Sequence, residues 1–190
     1  MAEEIQSESK NPIDARTLRN ALGCYATGVA VITTLNPVGE HVAVTVNSFA
    51  SVSLAPPLIL FSLARNANIL ASFQAGQHFT VNILGHKQEQ LSNMFARPSS
   101  AAWDDLRYTV GDNGCALFAG ALAQLECRKQ AELDGGDHVI LLGEVTHIHQ
   151  HDAGNPLLFY RGRYGTYARD EWGKLPPADG TLNDFSSGWG

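Results

Sequence analysis

The chain is as informative in what it lacks as in what it contains. Its three cysteines, Cys24, Cys115 and Cys127, form no C-x-x-C pair and no zinc-ligand spacing. A disulfide framework and a zinc ribbon are therefore excluded, and the thiols read as small buried hydrophobes in a reducing compartment. There is no G-x-G-x-x-G, no G-x-x-x-x-G-K-[ST], no H-E-x-x-H and no G-x-S-x-G. A dinucleotide-binding Rossmann unit, a P-loop, a zincin and a serine-hydrolase elbow thus find no support. Basic residues are scarce: 13 Lys and Arg against 19 Asp and Glu leave a formal net charge of −6. That balance disfavours nucleic acid as a partner, because phosphate binding draws on a basic patch. No apolar run approaches a membrane span, and residues 1–12 are polar rather than a signal sequence. The expected location is cytoplasmic, with no membrane partner.

What is present fits one globular domain of 190 residues, 44% hydrophobic and only 17% charged. So little charge suggests that part of the surface is hidden in an oligomer. Residues 1–12 read as a disordered lead and 171–190, rich in Gly, Pro, Asp and Ser, as a tail; the folded part is 13–170. Asp14 is placed to cap a helix through about Tyr25. Strands follow over Val29–Leu35 and His41–Ser48, joined by the turn Asn36-Pro37-Val38-Gly39, and then over Leu58–Leu63 and His78–Leu84. Short helices are expected from Asn68 to Ala75 and from Lys87 to Phe95, the latter ended by Arg97-Pro98. Residues 99–114 read as a long polar loop carrying Trp103 and Tyr108. Two further strands, Leu122–Ala131 and His138–His149, flank the tight turn Asp134-Gly135-Gly136-Asp137, and Leu157–Tyr160 is the last. Many strands at hairpin spacing with few helices predict a mainly β fold, a closed antiparallel barrel with short peripheral helices.

One segment stands apart. After the apolar alternation Val42, Val44, Val46, five neutral polar side chains (Thr45, Asn47, Ser48, Ser51, Ser53) crowd the end of a strand. Short uncharged donors and acceptors beside an apolar wall suit a flat heterocycle such as flavin. The alternating His147, His149 and His151 share one face of an extended strand and invite a metal. Same-face neighbours are about 7 Å apart, too wide for three ligands of one ion, so no metal is assigned.

Five pieces in order carry a family likeness: Thr27-Gly28-Val29-Ala30-Val31-Ile32-Thr33-Thr34; Thr45 to Ser53 with Pro56-Pro57-Leu58; Phe79-Thr80-Val81-Asn82-Ile83-Leu84; Gly136-Asp137-His138; and Pro156 to Tyr164. Together they resemble the short-chain NAD(P)H:flavin reductases with the FMN-binding split-barrel fold, over residues 14–168. The resemblance implies a homodimer binding FMN or FAD, with NADH somewhat favoured over NADPH as co-substrate. It also implies a partner, a flavin-dependent monooxygenase fed by diffusible reduced flavin. Residue by residue, Thr45, Asn47 and Ser48 match positions at the flavin's polar edge and ribityl chain, and Ser51, Val52 and Ser53 the stretch toward its phosphate. The segment from Ser62 to Asn68 would cradle that phosphate, with Arg65 as counter-charge. Phe79 and Asn82 match the strand that closes over the flavin. His138 matches a histidine beside the nicotinamide, which it would position; Arg161 and Arg163 would pair with the pyrophosphate and Tyr164 would stack. Positioning residues are expected rather than an acid–base dyad, because hydride transfer between two stacked rings mainly needs orientation and dryness. Two other readings stay open: a flavin-binding carrier or sensor that never meets a nicotinamide, and an oxidase acting on pyridoxamine phosphate on a similar barrel. The scarcity of Lys and Arg speaks mildly against the second.

Overall fold

A computed structural model describes residues 13–96, 103, 105–151 and 154–167. The proposed lead, the tail and the Arg97-Pro98 helix stop lie outside the described residues. In chain order the elements are α1 (Ala15–Leu22), β1 (Thr27–Gly28), β2 (Ala30–Leu35), β3 (His41–Val46), β4 (Ala50–Leu54), β5 (Pro57–Ala64), α2 (Leu70–Ala75), β6 (His78–Ile83), α3 (Glu89–Ala96), β7 (Tyr108–Val110), β8 (Ala116–Phe118), β9 (Ala123–Gly135), β10 (His138–Gln150), β11 (Leu157–Tyr160) and β12 (Arg163–Thr166). Among the described residues the chain is mainly β with three α-helices and is built from antiparallel sheets.

Seven strands make the principal sheet in the order β3-β2-β6-β9-β10-β5-β4, while β1, β11 and β12 form a small sheet and β7 pairs with β8. The long β9–β10 hairpin is its spine. Its turn pairs Gly135 with His138 across Gly136, whose φ of 76° suits a residue without a Cβ. Period-two alternation sets the inner face: β5 turns Ile59, Phe61 and Leu63 inward and β10 turns Val139 and Leu141 inward. These meet Ile32, Val46, Phe79, Val81 and Cys127 in one core, so the inner faces of six strands share an interior. Phe61 is its hub, edge-on to Phe73 at 5.7 Å and to Phe79 at 5.1 Å. Val29, Val31, Leu84, Phe95, Phe118 and Leu157 form a second core on the other side of β2. That strand is consequently buried on both faces and reads as an unbroken apolar run.

One expectation is corrected. The edges of the principal sheet, β3 and β4, share no ladder among the described residues, so the sheet is curled but not closed by hydrogen bonds. The chain between them is only three residues long, and β4 is spent pairing with β5. Five strands were invisible to periodicity: β1, β4, β7, β8 and β12 are each five residues or fewer. Helix α1 forms where expected, with Asp14 accepting the Thr17 N–H at 2.8 Å. Helix α2 begins at Leu70, so Asn68 is not its cap. Two of the thiols are buried as expected, and burial pushes Cys115 and Cys127 up to about 12. Cys24 is exposed instead.

Candidate flavin and nicotinamide site

The neutral polar segment occupies the open edge of the principal sheet. Thr45 Oγ1 donates to the Ser92 carbonyl of α3 at 2.7 Å. Ser48 links the strand end to β5, accepting from the Ser62 N–H at 3.0 Å and donating to its carbonyl at 3.1 Å. Asn47, Ser51 and Ser53 make no side-chain hydrogen bond to another described residue. A bulge between Ser51 and Ser53 leaves Val52 without a partner on β5, and Asn47, Ser51 and Val52 are all exposed. The segment thus presents unsatisfied neutral donors and acceptors to solvent from a well-anchored backbone.

Ser62 lies within β5, not after it, and its backbone is already engaged by Ser48. Arg65 follows that strand and is held at the hairpin turn. Its Nη2 donates to Asp134 Oδ1 and its Nε to the Gly136 carbonyl, both at 2.7 Å. The Gly136 N–H and then Arg65 hold the Asp134 carboxyl below its ordinary value. Arg65 N–H also donates to the Asp137 carbonyl at 2.9 Å. Beside this cluster, His138 pairs with Ala64 of β5, and its Nδ1 lies 2.6 Å from Asp137 Oδ1. Ser48, Ser62, Arg65 and His138 therefore gather at one end of β5 and β10.

Two residues assigned to the flavin are scaffold instead. Phe79 is 1% exposed in the main core, and its ring lies against Gly143 so closely that a Cβ there would come within 2.3 Å of it. Asn82 is fully buried. Its Nδ2 donates to the Val31 and Ala116 carbonyls at 3.2 and 3.3 Å, and its Oδ1 accepts the Phe118 N–H at 2.8 Å. Both its N–H groups and its carbonyl oxygen are engaged in joining β2, β6 and β8. Neither side chain reaches a surface.

The nicotinamide candidates divide. Arg161 and Gly162, at φ 48° and 77°, form the two-residue turn between β11 and β12. Arg161 Nη2 donates to Cys24 Sγ at 3.4 Å, with its guanidinium over the Tyr160 ring at 5.3 Å. Arg163 is exposed on β12. The Tyr164 hydroxyl lies 2.8 Å from Ser92 Oγ, and its ring meets Phe159 edge-on at 5.4 Å. Through Ser92, fully buried on α3, Thr45 of the flavin segment and Tyr164 of the nicotinamide segment join one hydrogen-bonded chain. No described contact joins His138 to Arg161, Arg163 or Tyr164.

Sequence reasoning missed Ser92, whose role depends on two partners far off in the chain. It also missed a cleft of about 800 Å³ along β3, lined by Asn66, Asn68, His41, Phe95, Trp103 and Tyr108. His41 stacks on Trp103 at 5.7 Å and meets Tyr108 edge-on at 5.3 Å. Burial lowers its pKa, favouring the neutral imidazole. Asn68 enters here as a wall of the cleft rather than a helix cap.

Comparison with known proteins identifies the family. Residues 22–168 match the family model described as flavin reductase like domain. The chain is 43% identical over 156 residues to an FMN reductase (NADH), SmoA, of Agrobacterium fabrum, covering 82% of this chain and 88% of that one. A probable flavin reductase of Rhizobium meliloti is 39% identical over 80% of this chain, which spans only 49% of that relative's length. Among solved structures, the NADH:FAD oxidoreductase SgcE6 of Streptomyces globisporus C-1027, in complex with NAD and FAD fragments, superposes with a TM-score of 0.79 at 37% identity. That match covers 87% of this chain and 99% of the other. The chain belongs to the flavin reductase-like family.

Proposed function

We propose that this protein is an NAD(P)H:flavin oxidoreductase, with NADH favoured, that supplies reduced FMN or FAD to a separate flavin-dependent monooxygenase. The observation that carries the reading is the open-edge segment from Asn47 to Ser53, where the side chains of Asn47, Ser51 and Ser53 lack partners among the described residues, in a chain of this family. The donor set fits a flavin, because the ring's polar edge and ribityl chain are uncharged hydrogen-bonding groups that short hydroxyls and amides can meet. Bound flavin supplies the ring that accepts a hydride from the nicotinamide and carries it to the oxygenase. The protein's residues orient. Asn47 meets the polar edge from a backbone that Thr45 and Ser48 fix through Ser92 and Ser62, and Ser51, Val52 and Ser53 follow toward the phosphate, which Arg65 meets with the N–H groups left over from Asp134 and Gly136. Asp137 fixes the His138 ring through Nδ1, leaving Nε2 for the nicotinamide carboxamide. Arg161 and Arg163 serve the pyrophosphate, with Tyr164 aligned through Ser92. Relatives named as reductase components support the monooxygenase partner: those of trigonelline monooxygenase in Acinetobacter baylyi and of a 4-nitrophenol monooxygenase in Rhodococcus opacus.

A single split-barrel domain over 13–170 belongs to this reading, supported by the one core shared by six strands. So does a homodimer: α1 has no buried residue, and Leu18, Leu22 and the nearby Tyr25 stand exposed for a second copy to cover. A cytoplasmic location also belongs here, supported by cysteines that are all free; no helix among the described residues is long and apolar enough to cross a membrane. Stopped-flow mixing of the flavin-loaded protein with NADH tests the central claim. Rapid bleaching of the flavin absorbance is expected; bound flavin that never bleaches would make the protein a carrier.

A further inference from the structure

The three alternating histidines of β10 have no place in the flavin reading. By themselves they are spaced too widely for one ion, but other elements bring carboxylates to them. Glu126 of β9 stands opposite His147 in the β9–β10 ladder, so their side chains leave the same face. A register shift between Val145 and His147 sets that pairing. Diagonally across, His149 Nε2 lies 2.8 Å from Glu126 Oε1. The other carboxylate oxygen, Oε2, accepts the Asn113 N–H at 2.8 Å. Gly111 lies so close to the carboxyl that a Cβ there would come within 2.7 Å of it, so the turn is fitted around Glu126. The turn thereby holds Asp112 over the same face, with Oδ2 3.8 Å from His147 Nε2. One ligand atom each of Asp112, Glu126 and His147 falls within 4.8 Å of the others.

We propose that Asp112, Glu126 and His147 bind one first-row divalent cation of the zinc type, with His149 holding the Glu126 carboxylate by its hydrogen bond, clamping the 111–114 turn to the β9–β10 hairpin. Donors on one zinc ion, each about 2.0–2.2 Å from the metal, lie roughly 3.4 Å apart. The spread here closes on an ion with rotamer adjustments on the order of an ångström. The His147 imidazole favours zinc-like ions over Mg²⁺ or Ca²⁺, which take oxygen. Only Glu126 is sealed, at 1% side-chain exposure; Asp112, His147 and His149 open to solvent and give the ion its entry. His151 is outside the site, its Nε2 3.1 Å from Gln124 Oε1.

The test uses full-length, tag-free protein stripped with EDTA and titrated calorimetrically with ZnCl₂. One Zn²⁺ per chain should bind and raise the melting temperature. X-ray absorption should show a nitrogen and oxygen shell with an imidazole signature and no sulfur near 2.3 Å. The double variant Asp112→Asn/His147→Gln, both sites exposed, should fold and bind flavin as before but hold Zn²⁺ at least about tenfold more weakly. No saturable binding, undiminished binding in the double variant, or sulfur in the shell would each overturn the proposal.

Discussion

Two asparagines, Asn82 and Asn47, divide the molecule into what holds it together and what is left to bind. Asn82 is fully buried and gives both its N–H groups and its carbonyl oxygen to Val31, Ala116 and Phe118. Asn47 is exposed at the open edge and gives none to any described residue. The same contrast separates Phe79, closed inside the core, from Tyr164, which reaches Ser92 from a half-buried position. Both regions read alike as family motifs, yet only one keeps polar atoms free. A polar atom already satisfied in the interior cannot also meet a ligand without leaving another group unpaired.

The sharpest break in that contrast is Phe79→Ala. It should destabilise folding by about 3–5 kcal/mol through the cavity left beside Phe61 and Gly143. Urea unfolding checks this, and a loss confined to flavin affinity would return Phe79 to the binding site. Asn82→Ala strands the Phe118 N–H and removes one bond each from the Val31 and Ala116 carbonyls, and should cost roughly 1–3 kcal/mol of stability. If the variant kept wild-type stability but bound flavin poorly, the scaffold assignment of Asn82 would be wrong.

On the open side the effects are smaller and belong to ligands. Arg65→Ala should weaken FMN and FAD about tenfold, the scale of a bond to a charged group, while leaving riboflavin nearly unchanged. Fluorescence quenching with the three ligands decides it, and equal losses would move the phosphate elsewhere. His138→Ala should raise the Michaelis constant for NADH or slow hydride transfer about fivefold, with flavin affinity intact. A wild-type rate at sub-saturating NADH would leave the nicotinamide to Arg161, Arg163 and Tyr164. The smallest effects are those of Asn47→Ala and Ser53→Ala, each costing about 0.5–1.5 kcal/mol of flavin binding and almost nothing in stability. Unchanged flavin affinity in both would erase the difference between the two asparagines.

Much of the architecture was legible because its signals are local. Asp14 announces α1 by a cap three residues long, the alternation of β5 and β10 exposes their inner faces, and Gly136 marks the hairpin turn. Strands β1, β4, β7, β8 and β12 were not legible, since so few residues carry no period. In the site, the run of neutral side chains from Thr45 to Ser53 was visible as composition. That Ser62 would spend its backbone on Ser48, or Arg65 one donor on Asp134 and another on Gly136, was not.

By itself, then, the sequence determined the longer strands along the chain, the shortage of charge, and a neutral hydrogen-bonding segment suited to a flat ring. These follow from side-chain chemistry and from repeats of two or four residues, which need no tertiary contact. Only the tertiary structure decided which polar groups stay free. Asn82 was withdrawn by partners 34 to 51 positions away, and Arg65 was tied to a carboxylate 69 positions on. It also carried Asp112 and Glu126 to His147, three residues whose separations in the chain show no ligand spacing. Such pairings are set by how sheets curl and pack around a shared core, and packing is a property of the whole chain that no short window contains.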